Sequence, residues 1–438
     1  MISSKSFAAR SVLWAFLLPF ALASGARAEE EQKPFRLRGN FRTIGAAVQN
    51  YDFPLFFGDD EADAFSQSLL RGTIFGEPWE ALSYEVHGVQ SLDATSASGS
   101  PQAPFGLTKQ GIRYRALDAS WEWLTEQEAQ AVLWLDRASV KVSFPFADLT
   151  LGRQAVTFGE AYFWNPLDVF LAFDPRQFDR EYKPGVDAER LDVPLGDFSG
   201  VNVIAAAGRT ILPDGTFEGG EQAFETTWFG SAVLGRIFTN VKGWSLTAQG
   251  GKVYGGYQAG GGATGEIQEI ELRLEAAHLF ADGGPFFPVP VPPPTERLVE
   301  SGTTVVAGVG RRFENTLHLQ AEYFYNGLGD SEDLAASFVR FQTGGSLDMS
   351  RHLLALAATY EILPILTGEV ALIVAPEDPS LQIQPRLTWS AADEIEVLAG
   401  AIVNVGERPE QPAPGLIVPQ SEFGTFPNFY YAEFKVYF

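Results

Sequence analysis

The 438-residue sequence predicts an all-β chain, a transmembrane antiparallel β-barrel of about 16–18 strands. Three observations carry that expectation. A leader with the layout of a secretory signal opens the chain, a two-residue alternation of apolar and polar side chains returns through most of the remaining residues, and the last segment alternates up to a terminal phenylalanine.

In the leader, residues 1–28, Lys5 and Arg10 precede an apolar stretch from Val12 to Ala23, and the small-residue site Ala26-Arg27-Ala28 comes after it. This is the order of a cleaved export signal. The stretch is about a dozen residues long, short of the roughly 20 that a spanning helix requires. The mature chain, 29–438, is expected to begin at Glu29 and to form one barrel. Charged, glycine or proline residues interrupt every later apolar run, so no transmembrane helix is expected.

The chain has no cysteine and a formal net charge of −24, which becomes −27 once the leader with Lys5, Arg10 and Arg27 is removed. Absent thiols exclude disulfides, thiol nucleophiles, iron–sulfur clusters and cysteine-based zinc sites. The acidity argues against nucleic acid as a partner, because phosphate contacts need a basic face. A closed sheet holds such an exported chain together, since every edge amide and carbonyl finds a partner.

The alternation places the strands. Phe35, Leu37, Gly39, Phe41 and Thr43 alternate with Arg36, Arg38, Asn40 and Arg42, and Ile270, Leu272, Leu274 and Ala276 with Glu269, Glu271, Arg273 and Glu275. A period of two puts each set on its own face, and segments of about ten residues suit tilted strands crossing a bilayer. Ten candidate strands lie near 35–47, 64–76, 80–91, 110–123, 130–144, 147–155, 198–208, 224–239, 243–255 and 265–280. Seven more lie near 302–313, 315–326, 349–361, 365–375, 380–391, 393–404 and 428–438. Seventeen is odd and single-chain bacterial barrels are even, so one strand is missed or one is false.

Connections alternate between short ones, such as Phe313-Glu314-Asn315, and long ones near 91–110, 156–197, 281–301, 327–348 and 406–427. Short turns at one rim and long loops at the other produce this rhythm. The stretch Pro285 to Pro294 cannot sit inside a sheet, because proline offers no amide donor. Aromatics near strand ends, among them Tyr323, Trp389 and Phe429, suit girdles at the two membrane interfaces.

In the last segment Tyr430, Ala432, Phe434, Val436 and Phe438 share one face. The pattern resembles the C-terminal assembly signal of outer-membrane barrels, which implies recognition of Tyr430, Phe434, Val436 and Phe438 by a barrel assembly machinery and residence in the lipid bilayer of a cell outer membrane. Leu151-Gly152-Arg153-Gln154, Trp164-Asn165-Pro166 and Lys183-Pro184-Gly185-Val186-Asp187 resemble porin-like and polysaccharide-export barrels of Gram-negative bacteria over roughly residues 133–190. Porins commonly fold a long loop into the lumen, and the aromatic, charged segment 156–197 resembles that arrangement.

The resemblance implies a constriction in which Arg153, Arg176, Arg180 and Lys183 face Glu160, Asp168, Asp174, Asp179 and Asp187. Opposed charges there sort solutes by sign and dipole; equally, the same charges pair and pin the loop. Arg36, Arg38 and Arg42 form a polar column that serves anionic solutes or is neutralised, with Glu433 on the last strand a candidate partner because closure sets the first and last strands side by side. Tyr162, Phe163 and Trp164 are candidate stacking residues for sugars, or plain loop packing.

Enzyme chemistry finds little purchase. His87, His278, His318 and His352 are scattered, and neither His-Glu-x-x-His nor Gly-x-Ser-x-Gly occurs. No cofactor or metal is expected. The leading expectation is a channel for small hydrophilic solutes. Alternatives are a polysaccharide-export or surface-assembly barrel, a plugged structural barrel, and an outer-membrane lipase- or protease-type barrel enzyme.

Overall fold

In the computed structural model the described residues are 35–50, 62–96, 113–126, 128–170, 182–211, 217–218, 221–222, 224–283, 299–342, 346–413 and 416–438. The leader 1–28 and Pro285 to Pro294 lie outside them. Eighteen strands form the wall: β1 (Phe35–Gln49), β2 (Ala62–Trp79), β3 (Leu82–Thr95), β4 (Ala129–Phe144), β5 (Ala147–Gln154), β6 (Val186–Pro194), β7 (Ser199–Ala206), β8 (Ala232–Val241) and β9 (Trp244–Val253). The circuit continues with β10 (Gly256–Ile267), β11 (Ile270–Ala281), β12 (Gly302–Arg312), β13 (His318–Asn326), β14 (His352–Leu363), β15 (Leu366–Ala375), β16 (Ser380–Ala392), β17 (Ile395–Val405) and β18 (Asn428–Tyr437).

Each strand pairs antiparallel with its neighbours in sequence, and β18 returns to β1 from Asn40↔Tyr437 to Gln49↔Asn428. The sheet therefore closes. At the seam Gly39 and Phe438 exchange backbone hydrogen bonds of 2.7 and 2.9 Å. A Cβ at Gly39 would stand 2.4 Å from the Phe438 ring, so glycine there is what lets the terminal phenylalanine lie flat on the wall.

Around the circumference one alternate set is apolar and exposed, with nothing among the described residues covering it: Leu70, Val140, Val203, Ile237, Leu274, Leu319, Leu356 and Leu387 recur there. An uncovered apolar belt on a sheet with no open edge is stable against lipid and not against water. Trp79, Phe146, Phe198 and Trp389 flank it toward the rim of short turns, and Trp121, Trp228, Tyr257 and Tyr430 toward the other, as girdles do. Tyr430 and Phe438 are exposed on this outer face, and Phe434 and Val436 share it, partly buried and buried respectively among their neighbours. No helix among the described residues is long and apolar enough to cross a membrane; the strands cross instead.

Tight turns explain the register at the short rim. Gln268 and Glu269 join β10 to β11 with φ of 50° and 66°, two successive left-handed residues whose twist matches that of the flanking strands. The long connections gather at the opposite rim, one of them carrying α1 (Leu334–Gln342), whose start is capped by Asp333 accepting from the Ala336 amide at 3.0 Å.

Sixteen of the expected strands are wall strands. Two were missed. β6 lies inside the segment expected to be loop to residue 197, and its Asp187, Glu189, Arg190 and Asp192 hide the alternation. β10, GYQAGGGATGEI, has too few side chains to alternate. The candidate at 110–123 is instead a half-height strand, Ser120–Thr125, laid on the upper part of β4 through Trp121↔Leu133.

Candidate functional site

The chain leaves the wall at Gln154 and rejoins at Val186, and the described residues between them, 155–170 and 182–185, turn inward. Its apolar side chains bury themselves on the inner face. Val156, Phe158 and Phe170 pack with Tyr114, Ile204, Leu234 and Val253; Phe163 and Trp164 pack with Val306, Phe324, Leu353, Ile373 and Phe423. Trp164 stacks on Phe324 at 5.0 Å and its indole nitrogen donates to Asp348 at 3.0 Å.

Glycines on β10 make room for this packing. A Cβ at Gly260 would lie 2.8 Å from the Leu167 side chain, and one at Gly262 would lie 3.3 Å from it. The composition that concealed β10 in the sequence is thus the imprint of the loop.

Backbone amides of a loop inside a barrel have no ladder to join and must find other acceptors. Glu275 on β11 accepts from the amides of Glu160 at 2.5 Å and Ala161 at 3.0 Å, and Glu322 on β13 accepts from Tyr162 at 2.6 Å and Phe163 at 2.8 Å. Gln249 donates to the Leu167 carbonyl at 2.8 Å.

The loop also reaches the opposite wall. The Tyr182 hydroxyl accepts from Asn40 on β1 at 2.6 Å, and the Arg71 guanidinium of β2 lies 4.2 Å from the centre of its ring. Arg71 and Arg115 share Asp136 at 2.7 and 2.8 Å, Arg115 donates to the Gly185 carbonyl, and Arg137 donates to that of Lys183. The described residues of the loop thus contact β11–β14 through 160–164 and β1–β4 through 182–185.

Lys183 and Asp168 form a buried ion pair at the base of the segment between them. Burial pushes the Asp168 carboxyl up to about 6 against the pull of the lysine, and lowers Lys183. Desolvation outweighs the mutual attraction for both partners.

Arg153 and Asp187 are cross-strand neighbours at 2.6 Å, on the face of β5 and β6 opposite the lumen set. Turning the loop inward leaves the wall short above them, and residues 113–125 fill the breach. Arg153 donates to the carbonyls of Leu117 and Leu135, the Asp187 carboxylate accepts from the Leu117 amide, and the Asp187 amide donates to Tyr114. The pair seals the wall and does not line the pore.

The other expected site residues separate cleanly. Glu160 faces the lumen, 3.6 Å from Arg236. Arg42 lies 3.7 Å from Glu433, which Lys435 also approaches at 3.6 Å, so the closing strand supplies the carboxylate to this part of the basic column. Arg36 and Arg38 are exposed near the short-turn rim, Arg36 over the Phe75 ring. Asp174, Arg176, Asp179 and Arg180 lie outside the described residues. Phe163 and Trp164 are each 1% exposed, so neither offers a face to a sugar; Tyr162 is partly exposed and meets Phe163 edge-on at 4.9 Å.

Sequence reasoning missed Glu275, Glu322, Tyr182, Asp136 and the pair Arg386–Glu369, 2.6 Å apart on β16 and β15. For Glu275 a signal existed, its place on the charged face of β11. Among the described lumen-facing residues acidic side chains outnumber basic ones on β10–β17, whereas on β1–β6 the two signs are nearly balanced and Arg36, Arg38 and Arg42 concentrate the basic ones on β1. This asymmetry sets an electric field across the lumen.

No family model matches the chain, and no curated protein does. Solved structures do. Acinetobacter baumannii OccAB2 superposes with a TM-score of 0.55 at 11% identity, covering 92% of this chain and 98% of that one. The fold is that of outer-membrane porins. OccAB1 of the same organism gives 0.55 at 10% identity over 94% and 98% of the two chains, and the Pseudomonas aeruginosa outer membrane protein OpdK gives 0.52 at 9% over 92% and 98%. At such identities the likeness concerns the porin-like barrel alone. No group of three or more histidine, aspartate or glutamate side chains suited to a metal occurs among the described residues.

Proposed function

We propose that the chain is an outer-membrane channel through which small hydrophilic solutes diffuse, passively or with facilitation, with no chemical step. One observation supports this reading: the described parts of the loop, 155–170 and 182–185, are fastened to opposite sides of the inner wall while the ladder stays closed. A loop used only as filling would need no such two-sided attachment. The outer apolar belt, its aromatic girdles and the terminal alternation support insertion in an outer membrane by a barrel assembly machinery.

Within this reading the selective groups are those that keep water beside charge. Arg386 and Glu369 are 37% and 21% exposed, and Glu160, Arg36 and Arg38 face the lumen or its mouth. Arg42 with Glu433 adds a nearly dry pair on the same inner face. The basic column of β1 and the acidic excess on β10–β17 orient a dipolar solute as it passes. Asp168, Lys183, Arg153 and Asp187 hold the loop and the wall in place.

Conductance in planar bilayers tests the proposal. Purified protein is expected to give steady open channels, with a reversal potential in a salt gradient that reports ion preference. A channel that opens only when a partner is added supports polymer export in its place, and no conductance supports a plugged structural barrel.

A further inference from the structure

Four consecutive amides, those of residues 160–163, are held by two wall carboxylates, and the manner of holding differs between them. Glu322 takes the Tyr162 amide on Oε1 and the Phe163 amide on Oε2, one oxygen each. Glu275 takes the Glu160 and Ala161 amides on Oε1 alone, while the Leu167 amide also bears on its carboxylate as the Trp164 amide does on that of Glu322. Each carboxylate lies over a cross-strand glycine: Gly262 opposes Glu275 and Gly308 opposes Glu322, and a Cβ there would stand 3.2 and 2.9 Å from the respective Cγ. Both glutamates are nearly solvent-free, and Arg273 lies within electrostatic reach of Glu322.

We propose that Glu275 and Glu322 are the positioning residues that fix where the loop crosses the lumen, with Glu322 the one that sets its register. This rests on the reading of the lumen as a conducting path. The apolar contacts of Phe163 and Trp164 hold the loop against the wall, yet dispersion is non-directional and tolerates sliding. A bidentate carboxylate does not slide, because moving the loop by one residue trades both bonds at once. The glycines opposite let each side chain lie along the sheet and present its oxygens to the loop.

The asymmetry supplies the test. A glutamine at 322 keeps one acceptor oxygen and turns an N–H group toward the second amide, whereas a glutamine at 275 keeps the single oxygen that the Glu160 and Ala161 amides already use. Wild type, Glu322→Gln and Glu275→Gln would be compared by hydrogen exchange of amides 160–163 and by open-channel noise in planar bilayers. With Glu322→Gln, exchange at Tyr162 and Phe163 is expected to rise on the order of tenfold or more, from loss of a charged hydrogen bond, together with flicker between open levels. With Glu275→Gln the rise at Glu160 and Ala161 is expected to stay below about threefold.

Equal effects, the reverse order, or no change in either variant overturns the proposal. If Glu322→Gln does not assemble, Tyr162→Pro removes one of the same bonds from the loop side while both carboxylates stay, and it must produce the same flicker and faster Phe163 exchange. Should wild type not conduct, the channel reading fails, while the exchange comparison still decides whether the clamp exists.

Discussion

Two kinds of ion pair stand on the inner face of this barrel, and the contrast between them separates structure from selectivity. Where the loop meets the wall the charges are dry: Asp168 and Lys183 are 2% and 5% exposed, and the Glu275 and Glu322 carboxylates accept backbone amides of the loop. Where the lumen stays open the pairs are wet: Arg386–Glu369 and Arg190–Asp192, the latter 29% and 27% exposed. Buried pairs cost desolvation and are strongly coupled to conformation. Hydrated pairs contribute about 0–1 kcal/mol to stability and stay available to a passing solute.

Breaking a dry contact is expected to have the larger effect. Trp164→Ala deletes a side chain that fills the second inner cluster, and a loss of about 3–5 kcal/mol is the usual scale for such a truncation; denaturant-induced release of the loop, followed by tryptophan-independent hydrogen exchange, measures it. Next comes Lys183→Met, which leaves Asp168 buried without its partner. At pH 7.5 the docked loop is expected to lose roughly 3–5 kcal/mol, the scale of an orphaned buried charge.

The pH dependence of that pair has a definite sign. Burial raises Asp168 to about 6 from an ordinary 3.8, so the docked loop binds the proton more tightly than the released one. This contribution is fully present below about pH 4 and is lost as pH rises through about 6. Protection of the loop amides relative to their intrinsic exchange rates in wild type is therefore expected to rise between pH 7.5 and 5, and the deficit of Lys183→Met to shrink over the same window. Weaker protection at the lower pH would contradict the assignment.

Wet contacts are expected to change selectivity with little effect on stability. Replacing Arg36 and Arg38 by glutamine should move the reversal potential toward cation preference. Arg386→Gln is expected to do the same to a smaller extent, while its thermal unfolding stays within about 1 kcal/mol of wild type. A large loss of stability in Arg386→Gln with unchanged reversal potential would place it with the dry pairs.

The sequence read well wherever alternation is set by the membrane. Phe35 to Thr43 and Tyr430 to Phe438 met at the predicted seam, and Glu433 fell beside Arg42, because closure is a property of the ends. It read poorly wherever the loop imposes its own demands on the wall. β10 is glycine-rich to admit Leu167, and β6 carries charges that pair with Asn202, Arg153 and one another, so neither alternates. The clamp joins residues more than 100 positions apart, and no local pattern announces it. Arg153 and Asp187 read as pore charges because sequence gives spacing but not which face a strand presents next to a breach.

The central claim is that residues 155–185 constrict a conducting lumen, and the lengths of β5 and β6 define how to remove them: a short glycine-serine linker in place of 160–182 leaves Arg153, Asp187 and the whole ladder intact. Single-channel conductance of this variant against wild type is the direct measurement. A severalfold rise in the open level with weakened ion preference is the predicted result, and an unchanged level and preference would contradict the account.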